Sequence, residues 1–160
     1  MKNILHAGEG EHLFVLTDLV TIKISARDTA NQYAVLQETV PPQAGPPPHQ
    51  HAEVEIFYVM EGEFEFLLDD LQNPVRVAAG GVVHVPAQAV HTFRNVGPAA
   101  GKLLVTLLPG NFEQFFRAIG TPVAEASVPD LNRPPDPASV DVPTLLATAP
   151  AYGLRFVLPT

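Results

Sequence analysis

Six short runs of strand-forming residues follow one another between positions 53 and 108, and this rhythm limits the fold class more than any other feature. The runs cover 53–60, 63–68, 75–78, 82–85, 91–95 and 102–108, each four to eight residues long. Turn residues separate them at Glu61-Gly62-Glu63, at 69–74, at Gly80-Gly81 and at 96–101. Two further runs, 20–25 and 33–40, come before. Short strands at this spacing predict an all-β sandwich or barrel.

The pattern changes after Pro109-Gly110. Phe112, Phe115, Phe116 and Ile119 stand at i, i+3, i+4 and i+7, the spacing of one helical face. Asn111 is the expected N-cap, with Gln114 three residues on, and Gly120 the expected stop. The stretch 121–137 carries five prolines and reads as an extended strap. Asp141 is expected to cap a second short helix holding Val142, Leu145, Leu146 and Ala149, and Gly153 to release the chain into a closing strand over 154–158. The expected organisation is a barrel over 1–110 and an extension over 111–160 packed on the same domain. The phenylalanine stripe needs cover. Its own barrel is the leading destination, with a dimer interface and a mobile lid as the alternatives.

Composition excludes several classes of function. Seventeen acids against nine bases give a net charge of −8, and the bases are scattered singly. Nothing forms the basic stripe that a phosphate backbone requires, so no nucleic-acid partner is expected. No run approaches the ~20 apolar residues that cross a bilayer, and the first residues lack the pattern of a signal peptide. The absence of cysteine removes disulfides and thiolate ligands. A cytoplasmic protein without membrane contact is the expectation.

The chemistry is concentrated in His49-Gln50-His51-Ala52-Glu53-Val54-Glu55, which follows the stiff Gly45-Pro46-Pro47-Pro48. On a strand, His49 and His51 project from one face about 6.6 Å apart. Glu55 would then lie ~13 Å beyond His51, too far to share an ion. A shared site therefore requires the backbone to bend between Ala52 and Val54 and return Glu55 from an adjacent strand. Glu53 competes for the carboxylate role but falls in the bend and is expected to face solvent. His91 supplies the third imidazole from the later strands. Three imidazoles and a carboxylate suit a divalent transition metal. His6, His12 and His84 have no such company and are read as surface or packing residues.

With these residues set out, Gly45-x3-His49-x-His51-x3-Glu55-x6-Gly62 resembles the first cupin motif, and Gly81-x4-Pro86-x4-His91-x3-Asn95 resembles the second. The resemblance covers about 33–108. It implies a double-stranded β-helix, the jelly-roll barrel, with one divalent ion held by His49, His51, Glu55 and His91. The ion would be iron, manganese, nickel, copper, cobalt or zinc. It also implies a homodimer. Two departures stand out: prolines fill a shortened gap before His49, and Gln88 replaces the customary glycine after Pro86. Gln88 is accordingly expected to turn differently and to face the cavity.

The expected function is that of a metal-dependent oxidoreductase, a dioxygenase resembling quercetinase-like cupins, acting on a small aromatic or enol substrate. Glu55 would be a ligand throughout or would detach to act as base. Phe57 and Val59 share parity with Glu55, Phe93 shares it with His91, and Phe64 and Phe66 form another alternating set. These are the candidate pocket walls, although most of them are expected simply to fill the barrel. A non-catalytic metal- or ligand-binding module and a non-redox isomerase or decarboxylase are the alternatives.

Overall fold

Alternation of apolar and polar residues makes most of the chain into strands, and the inward residues of those strands form its core. The computed structural model describes residues 3–124 and 127–157. β1 (Glu11–Val15), β2 (Asp18–Ile24) and β3 (Ala34–Val40) open the chain. β4 (His49–Gln50), β5 (Val54–Glu61), β6 (Glu63–Leu68), β7 (Asp70–Ala78), β8 (Val82–Val85), β9 (His91–Asn95) and β10 (Gly101–Leu108) follow. A 3-10 turn over Gly110–Phe112 leads into α1 (Glu113–Ile119), then come β11 (Thr121–Pro122), α2 (Val142–Thr148) and β12 (Arg155–Phe156).

Two antiparallel sheets result, one ordered β11-β1-β2-β3-β10-β5-β8 and the other β12-β4-β9-β6-β7. This is the jelly-roll arrangement that the cupin resemblance implies, within the all-β sandwich or barrel class expected from the strand spacing. Every second residue of β5, β3 and β10 points between the sheets. Leu36, Val40, Val59, Leu103, Val105 and Leu107 are all fully buried there. Phe57, Phe64, Phe66 and Phe93 pack as neighbouring rings, the Phe57–Phe93 centroids lying 5.6 Å apart.

Local chemistry explains the joints. Gly45 passes so close to the backbone of Phe93 that a Cβ there would collide with the Phe93 carbonyl. Gly62 adopts φ +88°, the left-handed conformation that the β5–β6 turn needs and glycine accepts without cost. Asn95 is completely buried. Its amide donates to the carbonyls of Val40 and Ala99, and its oxygen accepts from the Gly97 N–H, so one side chain closes the turn before β10.

Three expectations about elements require correction. Residues 70–74 belong to β7 and not to a turn; Pro74 is tolerated because β7 is an edge strand, where a missing N–H costs no ladder bond. Asn111 does not cap α1, because the preceding residues already turn and its side chain is drawn to Glu53. β1 and β11, absent from the expected strands, pair with each other at the edge of the larger sheet. Asp141 does cap α2, its carboxylate accepting from the Thr144 N–H. Of the expected closing strand, Leu158 lies outside the described residues.

The phenylalanine stripe packs on its own barrel. Phe112 and Phe115 are buried within the main core. Glu113, itself fully buried, ties α1 down by accepting from the Ser25 hydroxyl, the Ala26 N–H and Arg117 Nε.

Candidate metal centre

The bend required between His51 and Glu55 is present. β4 belongs to the smaller sheet and β5 to the larger one, and the chain crosses between them at residues 51–53. Glu55 therefore faces the histidines from the opposite wall. His91 arrives because β9 pairs with β4 in a register that sets it directly opposite His49.

The four side chains are all buried, and one donor atom from each lies within 4.8 Å of every other. Donors on opposite sides of an ion with bonds near 2.1 Å are separated by about 4.2 Å. Sub-ångström adjustments of the side chains would therefore close the group on one ion. Glu55 Oε2 lies 3.1 Å from His51 Nε2 and 2.8 Å from His91 Nε2.

The far sides of the rings are also held. His49 Nδ1 lies 2.9 Å from the Pro47 carbonyl and His91 Nδ1 lies 2.9 Å from the Ala89 carbonyl. Each Nδ1 faces a carbonyl, and this contact orients the ring so that Nε2 points at the shared site, as outer partners orient histidine ligands in metal sites. His51 is held differently. Its ring stacks on Phe112 at 4.2 Å, and its Nδ1 lies 3.3 Å from Glu53 Oε2, close enough for a charge contact but poorly aligned for a hydrogen bond.

Electrostatics divides the group. Burial, with the neighbouring His91, pushes His49 down to about 3, which keeps it neutral. Burial opposes charge on His51 as well, but the carboxylates of Glu53 and Glu55 outweigh it and raise the ring to about 9. Burial also works against ionised Glu55, yet the hydrogen bonds from His51 and His91 hold its carboxyl well below the usual range. Neutral His49 and ionised Glu55 already have the protonation states in which these groups bind metal, and His51 would release its proton when an ion binds. The residues fit a divalent ion.

A narrow cavity of about 60 Å³ adjoins the group and is lined by His49 and Glu55. Phe57 and Phe93 form part of its wall, and Phe112, Phe115, Leu145 and Phe156 of the C-terminal extension roof it. No lysine or arginine lines it among the described residues.

Several expected site residues lie elsewhere. Val59, Phe64 and Phe66 do not line this cavity; they are buried deeper and fill the barrel. Gln88 is exposed at φ +65°, its amide oxygen accepting from Gln50, because the turn after Pro86 swings it outward. Glu53 is buried, not solvent-facing: the bend points it inward, where it meets His51 and accepts from Asn111 Nδ2. His6 and His84 are exposed, and His12 contacts the Thr21 hydroxyl.

The sequence reading missed two acids on the cavity, Glu38 and Asp18. The signal for Glu38 was there to read. Ala34, Leu36 and Val40 share its strand parity, so an inward face was interrupted by one carboxyl.

Comparison with known proteins agrees with this geometry. Residues 36–107 match the cupin domain family. A quercetin 2,3-dioxygenase from Bacillus subtilis (strain 168) is 32% identical over 120 residues, which cover 74% of this chain and 35% of that protein. The chain thus spans about a third of the length of that relative. Among solved structures, the polyketide cyclase RemF from Streptomyces resistomycificus superposes with a TM-score of 0.61 at 19% identity, covering 88% of this chain and 99% of that one. An RmlC-like cupin from Shewanella frigidimarina gives 0.59 at 17% identity, covering 71% and 96%. The strand order, the two motifs and these likenesses together identify a cupin domain over residues 36–107, with a resemblance to quercetinase-like cupins.

Proposed function

We propose that this chain is a metal-dependent cupin enzyme, a dioxygenase acting on a small neutral aromatic or enol substrate. One observation carries the reading: an oriented ligand group opens directly onto an aromatic-walled cavity that, among the described residues, holds no lysine or arginine. His49, His51, Glu55 and His91 would hold one divalent ion. When bound, a redox-active ion would supply oxygen chemistry beside the substrate.

The remaining work falls to the chain's own residues. Glu55 lines the cavity at the ligand group, where its ionised carboxylate can accept a hydrogen bond from a substrate hydroxyl. Phe57, Phe93, Phe112 and Phe115 exclude water and give a flat substrate its stacking surface. A cavity without lysine or arginine disfavours dianions such as oxalate and sugar phosphates. The likeness to a quercetin dioxygenase supports oxidation of a hydroxylated ring system. The residue organisation supports one domain, with 1–110 as barrel and 111–160 as its cover. A cysteine-free chain suits a reducing compartment, and we place it in the cytoplasm as a homodimer.

The test is metal content with oxygen consumption. Wild-type protein reconstituted with iron, manganese, nickel, copper or cobalt should consume oxygen with catechols, flavonols, enols or diketones. His91→Ala should lose metal retention by at least about tenfold. Full metal content in that variant would sink its assignment. Metal binding without oxygen uptake across the panel would favour the binding-module or non-redox alternative.

A further inference from the structure

Two acids on the cavity, Glu38 and the half-buried Asp18, have no part in the proposed ligand group. Glu38 lies on the inward face of β3 between Leu36 and Val40 and is 6% exposed. Among the described residues its carboxyl has no hydrogen-bond partner, and it lines the same cavity as His49 and Glu55. Asp18 lines that cavity too, from the start of β2, with the Thr17 hydroxyl donating to it at 2.9 Å.

A buried carboxyl without a partner is costly, and the penalty falls only if something inside the cavity satisfies it. Among the described residues no cation does so. The charged groups acting on Glu38 are the acids Asp18 and Glu55, and burial together with both of them raises its pKa well above the usual range. A neutral carboxyl presents one O–H donor and one carbonyl acceptor side by side. That pair matches a hydroxyl, phenol or amide. It does not match a carboxylate or phosphate, which would meet Asp18 and Glu55 with no compensating charge. It does not match a hydrocarbon either, which would leave the carboxyl unpaired.

We propose that Glu38 is a substrate-anchoring residue, binding a hydroxyl, phenol or amide group of a neutral one-ring ligand whose body lies along Phe57 and Phe93 and reaches His49 and Glu55. The ionised Glu55 at the ligand end disfavours an anionic ligand. The inference rests on the reading of the cavity as a substrate site, but it requires nothing of the metal. The size is consistent: about 60 Å³ accommodates a few waters, so a single ring requires only a modest shift of the roof, whereas a multi-ring body requires its displacement.

The test is binding of catechol, toluene and benzoate to metal-free, full-length protein by calorimetry, with wild type, Glu38→Gln and Glu38→Leu. Gln keeps a donor and an acceptor, so catechol should bind it within a few-fold of wild type. Leu should weaken catechol by about tenfold, the worth of one hydrogen bond, and should strengthen toluene. Benzoate should not bind measurably to wild type. Equal catechol affinity in Glu38→Leu, no catechol binding to wild type, or tight benzoate binding would each overturn the proposal. Thermal melts supply an independent check. Removing an unpartnered buried carboxyl should raise Tm, and a lowered Tm in Glu38→Leu would show a structural role and overturn the anchor. Oxygen uptake by metal-loaded wild type is measured separately; its absence, with catechol binding still dependent on Glu38, would remove the dioxygenase reading and leave the anchor standing.

Discussion

The imidazoles of His49 and His91 are aimed by carbonyls two residues earlier, in the segments that lead into their strands, so their orientation is set locally. The acids behave differently, because their charge state depends on what the fold packs beside them. Asp18 shows the consequence. Burial raises its carboxyl to about 7, against the weaker opposing hydrogen bond from Thr17. A folded-state pKa above the unfolded one means that the native state prefers the protonated form. The associated stability is fully present below pH ~4 and is lost as pH rises toward 7. Asp18→Asn, which cannot ionise, should therefore match wild type near pH 4 and exceed it above pH 7, by no more than about 4 kcal/mol. Denaturant titrations of metal-free protein at the two pH values check this; an equal difference at both would contradict it.

At the level of elements, the C-terminal extension is held by polar groups as well as by its phenylalanines. Glu113 satisfies three donors from two segments far apart in sequence, and Arg117 also reaches Glu11 on β1. Glu113→Ala would strand the buried Ala26 N–H and Ser25 hydroxyl and release Arg117, at a cost of about 3 kcal/mol. Urea unfolding would reveal it as a lower midpoint. A change under about 0.5 kcal/mol would show that the phenylalanine packing alone docks the helix. The same docking sets Phe112 against His51 and Asn111 against Glu53, so this segment also shapes the ligand group.

Across the whole molecule, the ligand group joins the two sheets, with His49, His51 and His91 on one side and Glu55 on the other. An ion bound there would link the two walls and favour the native state by mass action, about 4 kcal/mol at a thousandfold excess over Kd. Tm should rise by about 10 °C on adding a divalent transition metal to chelator-treated protein and fall back on chelation. Calorimetry showing the same Tm in both states would remove the metal centre.

The residues that are legible from sequence alone are those whose placement depends on near neighbours. Parity two apart put His49 and His51 on one face, and the thirteen-ångström reach from His51 to a straight-strand Glu55 demanded a bend (a span of about 13 Å), which the crossing at 51–53 supplies. The helical spacing of Phe112, Phe115 and Phe116 likewise needed no tertiary information. Glu53 and Gln88 were placed wrongly, and parity left open which phenylalanines line the cavity and which fill the barrel, because it gives a side but not the packing partner. Whether an inward residue meets a cavity or a filled core depends on the opposite sheet and on the extension above it. Contacts between Glu53 and Asn111, 58 residues apart, or between Ser25 and Glu113, 88 apart, exist only after the chain has closed. The amino-acid order by itself therefore determined the strands, the joints and the candidate donor set, since these follow from backbone periodicity and side-chain chemistry. The tertiary structure alone decided which acids are buried together and what roofs the cavity, because burial and mutual charge are properties of surfaces brought together from distant parts of the chain.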